Sequence, residues 1–324
     1  MEQQDVLPFE KSRQKQKKSY LKEVRKNLPF LMMALPGAIW LIFFFYIPVL
    51  GNVVAFKDFR FFPGGFLDSL KQSEWVGFEN FNFLFSSSNA YIITRNTLLY
   101  NLGFIIIGTI IAVIIAIILS ELRSKRMVKI YQTSMLFPYF ISWVIISYFV
   151  YAFLSPEKGL INLLFFTPET GIDWYTQAKY WPAILLFMGI WKSLGYNSIV
   201  YFATIMGINP TYYEAAMVDG ASKWQQIKHV TLPQIIPLIS ILTILAVGNI
   251  FRADFGLFYQ IPKNSGALYN VTSVLDTYIY NGLTSSGDIG MAAAAGLYQS
   301  VVGCLLVVVT NLIARRFDPE SALF

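Results

Sequence analysis

Hydrophobic positions along this chain come in long unbroken runs, not in the alternating or one-faced patterns of soluble strands and helices. A helix needs about 20 apolar residues to cross the hydrocarbon core of a bilayer. Six segments reach that length: Leu28 to Phe56, Leu98 to Leu119, Val128 to Leu154, Tyr180 to Phe202, Ile235 to Phe255 and Ala292 to Ile313. Each predicts one transmembrane helix. The first exceeds the about 7–15 residues of a cleavable signal's apolar region and follows a long polar leader, so it reads as a retained span.

Composition removes the soluble alternative. At about 150 residues per domain, 324 residues would suggest two soluble domains. Yet 55% of the residues are hydrophobic and only 14% charged, against roughly 25% charge in a soluble domain. Mean hydropathy is +0.51. The 17% aromatic content also excludes a disordered chain. The fold class predicted is an all-α membrane protein with six transmembrane helices.

Charge then sets the topology. The net charge of +6 does not point to nucleic acid, because the basic residues gather beside apolar runs and not on an aromatic-laced soluble patch. Cytoplasmic loops carry the excess of Lys and Arg. One side holds Lys11, Arg13, Lys15, Lys17, Lys18, Lys22, Arg25 and Lys26 of the leader, then Arg123, Lys125, Arg126, Lys129, Lys223, Lys228, Arg315 and Arg316. The other side holds fewer over longer loops: Lys57, Arg60, Lys71, Arg95, Lys158, Lys179, Arg252 and Lys263. Both termini are therefore expected in the cytoplasm. Two long outer segments remain. Residues 57–97, with Trp75, Phe78, Phe81, Phe83 and Phe85, suit an ordered cap. Residues 256–290 carry a short helical run from Val271 to Tyr280. Each reads either as a docking surface for an external partner or as a plain connection.

Catalytic chemistry is missing from the sequence. No Gly-Lys dipeptide is present, so there is no phosphate-cradling P-loop. His229 is the only histidine and Cys304 the only cysteine, which excludes multi-His and Cys-rich metal sites. The outer acids Asp58, Asp68, Glu74, Glu79, Glu157, Glu169 and Asp173 form no local pair. No metal, no cofactor and no enzymatic activity are expected of this chain.

The loop from Gly207 to Pro233 holds the densest local signals. Asn209 is a good N-cap and Pro210 suits the first helical turn. Tyr213, Ala216 and Met217 fall at helical spacings, with Glu214 projecting beside them. Gly220 permits the positive φ that ends the helix. Ser222 can cap a second short helix to about His229, stopped before Pro233. Two short helices meeting at a glycine make a knob whose small alanine face can enter a partner's groove; the plainer alternative is a connector with a surface helix.

Glu214-Ala215-Ala216, Asp219-Gly220 and Leu232-Pro233, placed before the penultimate span, resemble the EAA loop of the membrane subunits of binding-protein-dependent ABC importers. The resemblance covers about Thr97 to Arg316 and implies the type I importer transmembrane fold. The stretches Pro48 to Lys57 and Asp276 to Tyr280 resemble the polysaccharide and oligosaccharide branch of the maltose-permease relatives. The implied division is a leader over 1–27, a first helix with an outer segment over 28–96, a transporter domain over 97–316 containing the coupling loop 207–233, and a tail over 317–324. What the resemblance implies is a non-catalytic subunit in a bacterial plasma membrane. Its partners would be a second related permease, two cytoplasmic ATPases that bind ATP-Mg, and an external solute-binding protein. Glu214, Ala215, Ala216, Asp219, Gly220, Leu232 and Pro233 would transmit ATPase motion to the spans.

Polar residues within spans mark the expected path. Lys192, Tyr196 and Asn197 lie in the fourth span, Asn249 and Arg252 in the fifth. Aromatic rings stack on sugars while amides and charges bond hydroxyls, so the mixture suits an oligosaccharide, and Lys192 and Arg252 suit an anionic one. Structural alternatives stay open: Lys192 snorkelling, Arg252 paired with Asp254, Asn249 joining neighbouring helices. The small residues from Gly290 to Gly296, with Gly303, predict close helix packing, and Cys304 a small buried hydrophobe. The competing function is a self-sufficient secondary transporter, which would normally carry internal repeats. A membrane-embedded enzyme or assembly factor is disfavoured by the missing catalytic cluster.

Overall fold

The computed structural model describes residues 26–82, 88–167 and 170–317. Most of the basic leader, Phe83, Phe85, Glu169 and the tail after Phe317 lie outside the described residues. The chain divides into two units, 1–54 and 55–324. The first contributes most of helix α1 (Leu28–Phe56), long and apolar enough to cross a membrane.

The second unit opens with a segment that forms a small sheet and a short helix. Strands β1 (Lys57–Asp58) and β2 (Glu74–Trp75) pair antiparallel around helix α2 (Phe66–Gln72). Lys57, expected as a topology-setting surface charge, is buried instead. Its ammonium donates to the carbonyls of Leu70 (2.6 Å) and Ser73 (3.0 Å) and faces the Trp75 ring.

Helix α3 (Ala90–Glu121) follows, two turns longer at its start than the apolar run predicted. The expected third span is broken. Helices α4 (Lys125–Phe140) and α5 (Trp143–Leu154) meet at 97° across Ile141 and Ser142. The cause is local: Pro138 has no N–H for the last turn of α4, Ile141 turns extended, and Ser142 caps α5 by accepting from the Ile145 N–H. Apolar continuity hid a Pro-x-x-x-Ser break signal.

After the short helix α6 (Leu160–Phe165), α7 (Ala178–Met206) runs the length of the unit and packs on α3 and α4. At Gly195 a β-carbon would run into the backbone of Met135, so only glycine permits that approach. Helix α8 (Pro210–Val218) precedes α9 (Lys223–Gly248). The second helix of the loop does not stop before Pro233. It widens into a π turn over Ile227–Thr231 and continues into the membrane. Pro233 has no N–H to donate to His229, and the wider turn absorbs that lost bond without ending the helix.

The fifth span also ends earlier than predicted. Helix α9 stops at Gly248, where it crosses Gly303 of α12 (Ile289–Arg316). Residues 249–253 turn, Asp254 caps α10 (Phe255–Gln260), and α11 (Leu275–Asn281) follows. Asn249 and Arg252 therefore stand beyond the helix end and not inside it. Cys304 is exposed, a correction to the buried reading. It belongs with Val301, Leu305 and Leu312 to an apolar face of α12 that the described residues of its unit leave exposed.

Two apolar cores lie at opposite ends of α7. One gathers Trp181, Leu185, Ile146, Val150 and Leu154 with Leu257, Phe258 and Leu268 of the returning loop. The other gathers Ala112, Val113, Ala116, Tyr201, Ile205 and Ile235 beside the 207–233 loop.

Candidate functional site

The 207–233 loop is built as its local signals demand. The Asn209 side chain accepts from the Thr211 N–H at 3.0 Å, with Pro210 at the first helical position. Gly220 stands at φ +77. Its N–H donates to the Met217 carbonyl at 3.0 Å, and the Ala221 N–H reaches back to Ala216 at 2.9 Å. That pair of bonds is the glycine-terminated helix end in which two otherwise orphaned carbonyls are met. Ser222 and Gln225 exchange the reciprocal bonds of a capping box.

The inner side of this knob is fastened to the spans. The Tyr213 hydroxyl shares a hydrogen with buried Thr231 at 3.0 Å, and buried Gln226 donates to the Ala221 carbonyl at 3.1 Å. Lys223 pairs with Glu121 at the end of α3, 3.0 Å apart and largely in solvent. The Tyr213–Thr231 and Lys223–Glu121 ties were not visible from sequence, since each joins residues on different helices.

The outer side is open. Val218 is 88% exposed and Trp224 71%, with Tyr212 and Met217 beside them. Glu214, Ala215 and Asp219 are also exposed, whereas Ala216 is half-buried. Glu214 makes no hydrogen bond or ion pair with the described residues. Leu232 and Pro233 sit at the junction of π turn and span. The knob is thus a rigid, partly apolar projection with an unpaired carboxylate.

At the α4–α5 break the membrane residues meet. Lys192 donates to the carbonyls of Pro138 (3.2 Å), Tyr139 (2.9 Å) and Ile141 (2.5 Å). An ammonium has three donors, so all are committed here and the head does not snorkel. Its charge also faces the Tyr139 and Trp143 rings at 5.9 and 5.2 Å. Tyr196 stacks on Tyr139 with centroids 5.0 Å apart and planes within 12°. The Trp143 indole donates to Asp254 at 2.7 Å, joining the break to the turn after α9. Lys192, Tyr196 and that turn therefore belong to one continuous wall, and Asn197 is exposed on α7.

Arg252 does not pair with Asp254, whose oxygens go to Trp143 and the Leu257 N–H. It is exposed, and its side chain makes no hydrogen bond or ion pair with the described residues. Asn249 donates to Leu245 of its own helix at 3.0 Å and joins no second helix. The turn is held by Asp276, which accepts from the Ala253 N–H at 2.7 Å and from Gln299 at 3.3 Å. Burial pushes the Asp276 carboxyl above the ordinary carboxylate range, opposed by those hydrogen bonds and by the Arg252 charge. Its clamping role was not legible from sequence.

A cavity of about 610 Å³ opens between α5 and α7, lined by Phe149, Phe153, Phe187 and Trp191 among other apolar side chains. The Trp191 indole is the one polar-bearing side chain in that lining. No cluster of potential metal ligands exists among the described residues.

Comparison with known proteins gives a consistent result. The family described as the binding-protein-dependent transport system inner membrane component matches residues 104–319. The polygalacturonan/rhamnogalacturonan transport system permease protein of Bacillus subtilis is 31% identical over 98% of this chain and 96% of its own. The sn-glycerol-3-phosphate transport system permease protein of Escherichia coli is 28% identical over 90% and 93%. Among solved structures, a chain of a bacterial ABC transporter that imports the acidic polysaccharide alginate superposes with a TM-score of 0.82. It is 33% identical, with 93% of this chain and 99% of that chain covered. A family that depends on a binding protein is not one of self-sufficient secondary transporters. An apolar multi-pass bundle, a capped knob before the penultimate span and these matches agree: the chain belongs to the family of binding-protein-dependent transport system inner membrane components.

Proposed function

We propose that this subunit conducts an oligosaccharide, preferentially a carboxylated one, inward through an ATP-driven importer. The external binding protein delivers the sugar. A second, related permease completes the path, and two cytoplasmic ATPases that bind ATP-Mg seat the α8 knobs, one from each permease. Both termini then lie in the cytoplasm, on the knob's side. Motion of the ATPases reaches α9 through Thr231 and α3 through Glu121, and alternately opens the wall that holds Tyr196 and Arg252.

One observation carries the coupling role. The knob is fastened inwardly by Tyr213 and Gln226 while Tyr212, Met217, Val218 and Trp224 are presented outward beside an unpaired Glu214. An apolar projection that finds no cover among the described residues marks a protein interface. The carbohydrate reading is supported by the stacked tyrosines at the break and by the polysaccharides that the Bacillus subtilis relative and the alginate importer are named for. The substrate class follows from cationic groups with free donors on the outer side and from the acidic polysaccharide carried by the structural relative.

Purification in mild detergent from the native membrane, with mass spectrometry of what accompanies the chain, tests the assembly. An ATPase, a second permease and a binding protein are expected. A chain that purifies alone and transports in liposomes without ATP refutes the reading.

A further inference from the structure

Lys192 has no donor left for a substrate, but another lysine is held in the opposite way. Lys263, in the loop after α10, is exposed and places its ammonium 4.2 Å from the ring centre of Tyr148 and 5.2 Å from that of Tyr151. It makes no ion pair or hydrogen bond through its side chain with the described residues. Tyr148 and Tyr151 are three residues apart on α5, share a face and are themselves exposed.

The backbone beneath Lys263 is unusual. Lys263 (φ 55) and Asn264 (φ 47) are consecutive left-handed residues, and neither is glycine. Such strain persists where the surroundings over-determine it, and it clusters at sites that clamp ligands. The surroundings do so here. Ile261, Pro262 and Leu268 are buried, the Asn264 N–H donates to the Tyr259 carbonyl at 3.1 Å, and the Ser265 hydroxyl to the Tyr175 carbonyl at 3.0 Å. The Tyr175 ring lies 5.5 Å from Tyr151, which closes the loop onto the same aromatic group.

We propose that Lys263, Tyr148 and Tyr151 form an outer subsite that takes one carboxylated sugar unit before it reaches the α4–α5 break. This rests on the reading of the chain as a saccharide permease. The apolar face of the sugar ring lies on an exposed tyrosine, and its carboxylate pairs with an ammonium that no acid among the described residues occupies. A charge-assisted bond of this kind is roughly twice as strong as a neutral one, so the cluster selects a carboxylated unit over a neutral one. The two lysines divide the labour along the α4–α5 pair: Lys192 holds the fold at the break, and Lys263 offers its charge to the ligand.

The test uses the whole assembled importer in nanodiscs, driven by its binding protein loaded with an alginate pentasaccharide. Saccharide-stimulated ATP hydrolysis is measured for the natural chain, Lys263→Gln, Lys263→Arg and Tyr148→Ala, each matched for co-purified subunits. A fall of at least fivefold is expected in K263Q and Y148A, with K263R within twofold of the natural chain. Carbodiimide coupling during turnover joins a contacting carboxylate to a lysine amine as an amide. A saccharide adduct is expected on the Lys263 peptide. Equal rates in K263Q and the natural chain, equal losses in K263Q and K263R, or no adduct at Lys263 would each overturn the subsite and leave the permease reading standing. If neither the pentasaccharide nor a galacturonan oligomer stimulates the natural chain, the carbohydrate reading falls and the subsite with it.

Discussion

The knob and the α4–α5 break solve the same problem by different means. Both are places where helices end and leave carbonyls or N–H groups without intrahelical partners. In the knob the remedy is local: Asn209, Gly220 and Ser222 each act within three residues of the group they satisfy. At the break the remedy comes from another helix, with Lys192 closing on carbonyls more than fifty residues away in sequence. The knob is wet, so a missed cap can be replaced by water. The break interrupts a stretch apolar enough to cross a membrane, where backbone groups left by a helix end must be met by protein donors or by a polar cavity. A knob held by local caps keeps its shape while its outer face stays free for a partner.

That difference ranks the consequences of substitution. The largest effect is expected for Lys192→Met, which removes three charge-assisted bonds at the break and leaves the Pro138 carbonyl only its bond from the Ile141 N–H. Bonds to charged groups contribute about 1.5–3 kcal/mol each, so a loss of at least about 2 kcal/mol is expected. It is read as a drop of several degrees in the melting of the assembled complex, partly restored by Lys192→Arg. An unchanged melting temperature would remove the long-range half of the comparison.

Next comes Glu214→Lys. The side chain is exposed and unpaired, so melting of the isolated chain should move by less than about 0.5 kcal/mol, as for surface sites in general. ATP-driven uptake should nevertheless fall at least tenfold. Loss of melting and uptake together would make Glu214 a folding residue. Gly220→Ala forces a β-carbon into the left-handed region, at about 1–2 kcal/mol, and should lower uptake severalfold by shifting the end of α8. Ser222→Ala removes one cap and should cost about 1 kcal/mol, seen as faster amide exchange over residues 223–226. Smallest is Lys223→Ala. Its pair with Glu121 is solvent-screened, and a change within about 0.5 kcal/mol is expected.

The same contrast explains what could be read in the sequence. Asn209, Pro210, Gly220 and Ser222 announced the knob, because caps and turns are written in neighbouring residues. The apolar runs announced the spans, because crossing a bilayer needs only length and hydrophobicity. The break was missed since Ile141 and Ser142 interrupt the helix over too few residues to lower the hydropathy of the run. The π turn was missed because Pro233 normally stops a helix, and only the structure reveals the widened turn that carries it through. Lys192 and Tyr196 were legible as polar residues of the fourth span, yet their common partner Tyr139 lies on another helix. Lys263 was counted only as an outer charge, since nothing in the sequence puts it over Tyr148 and Tyr151.

The central claim is that an external ATPase covers the outward face of the knob, and a single cross-link addresses it. Val218 is the most open of those side chains, and Cys304 is the only natural cysteine. In the assembled importer, Val218→Cys with Cys304→Ser should form a thiol cross-link to a cysteine-scanned ATPase surface, with a yield that changes when ATP binds. An ATPase that co-purifies with the chain, yet leaves Val218→Cys free at every scanned position and in every nucleotide state, would contradict the account.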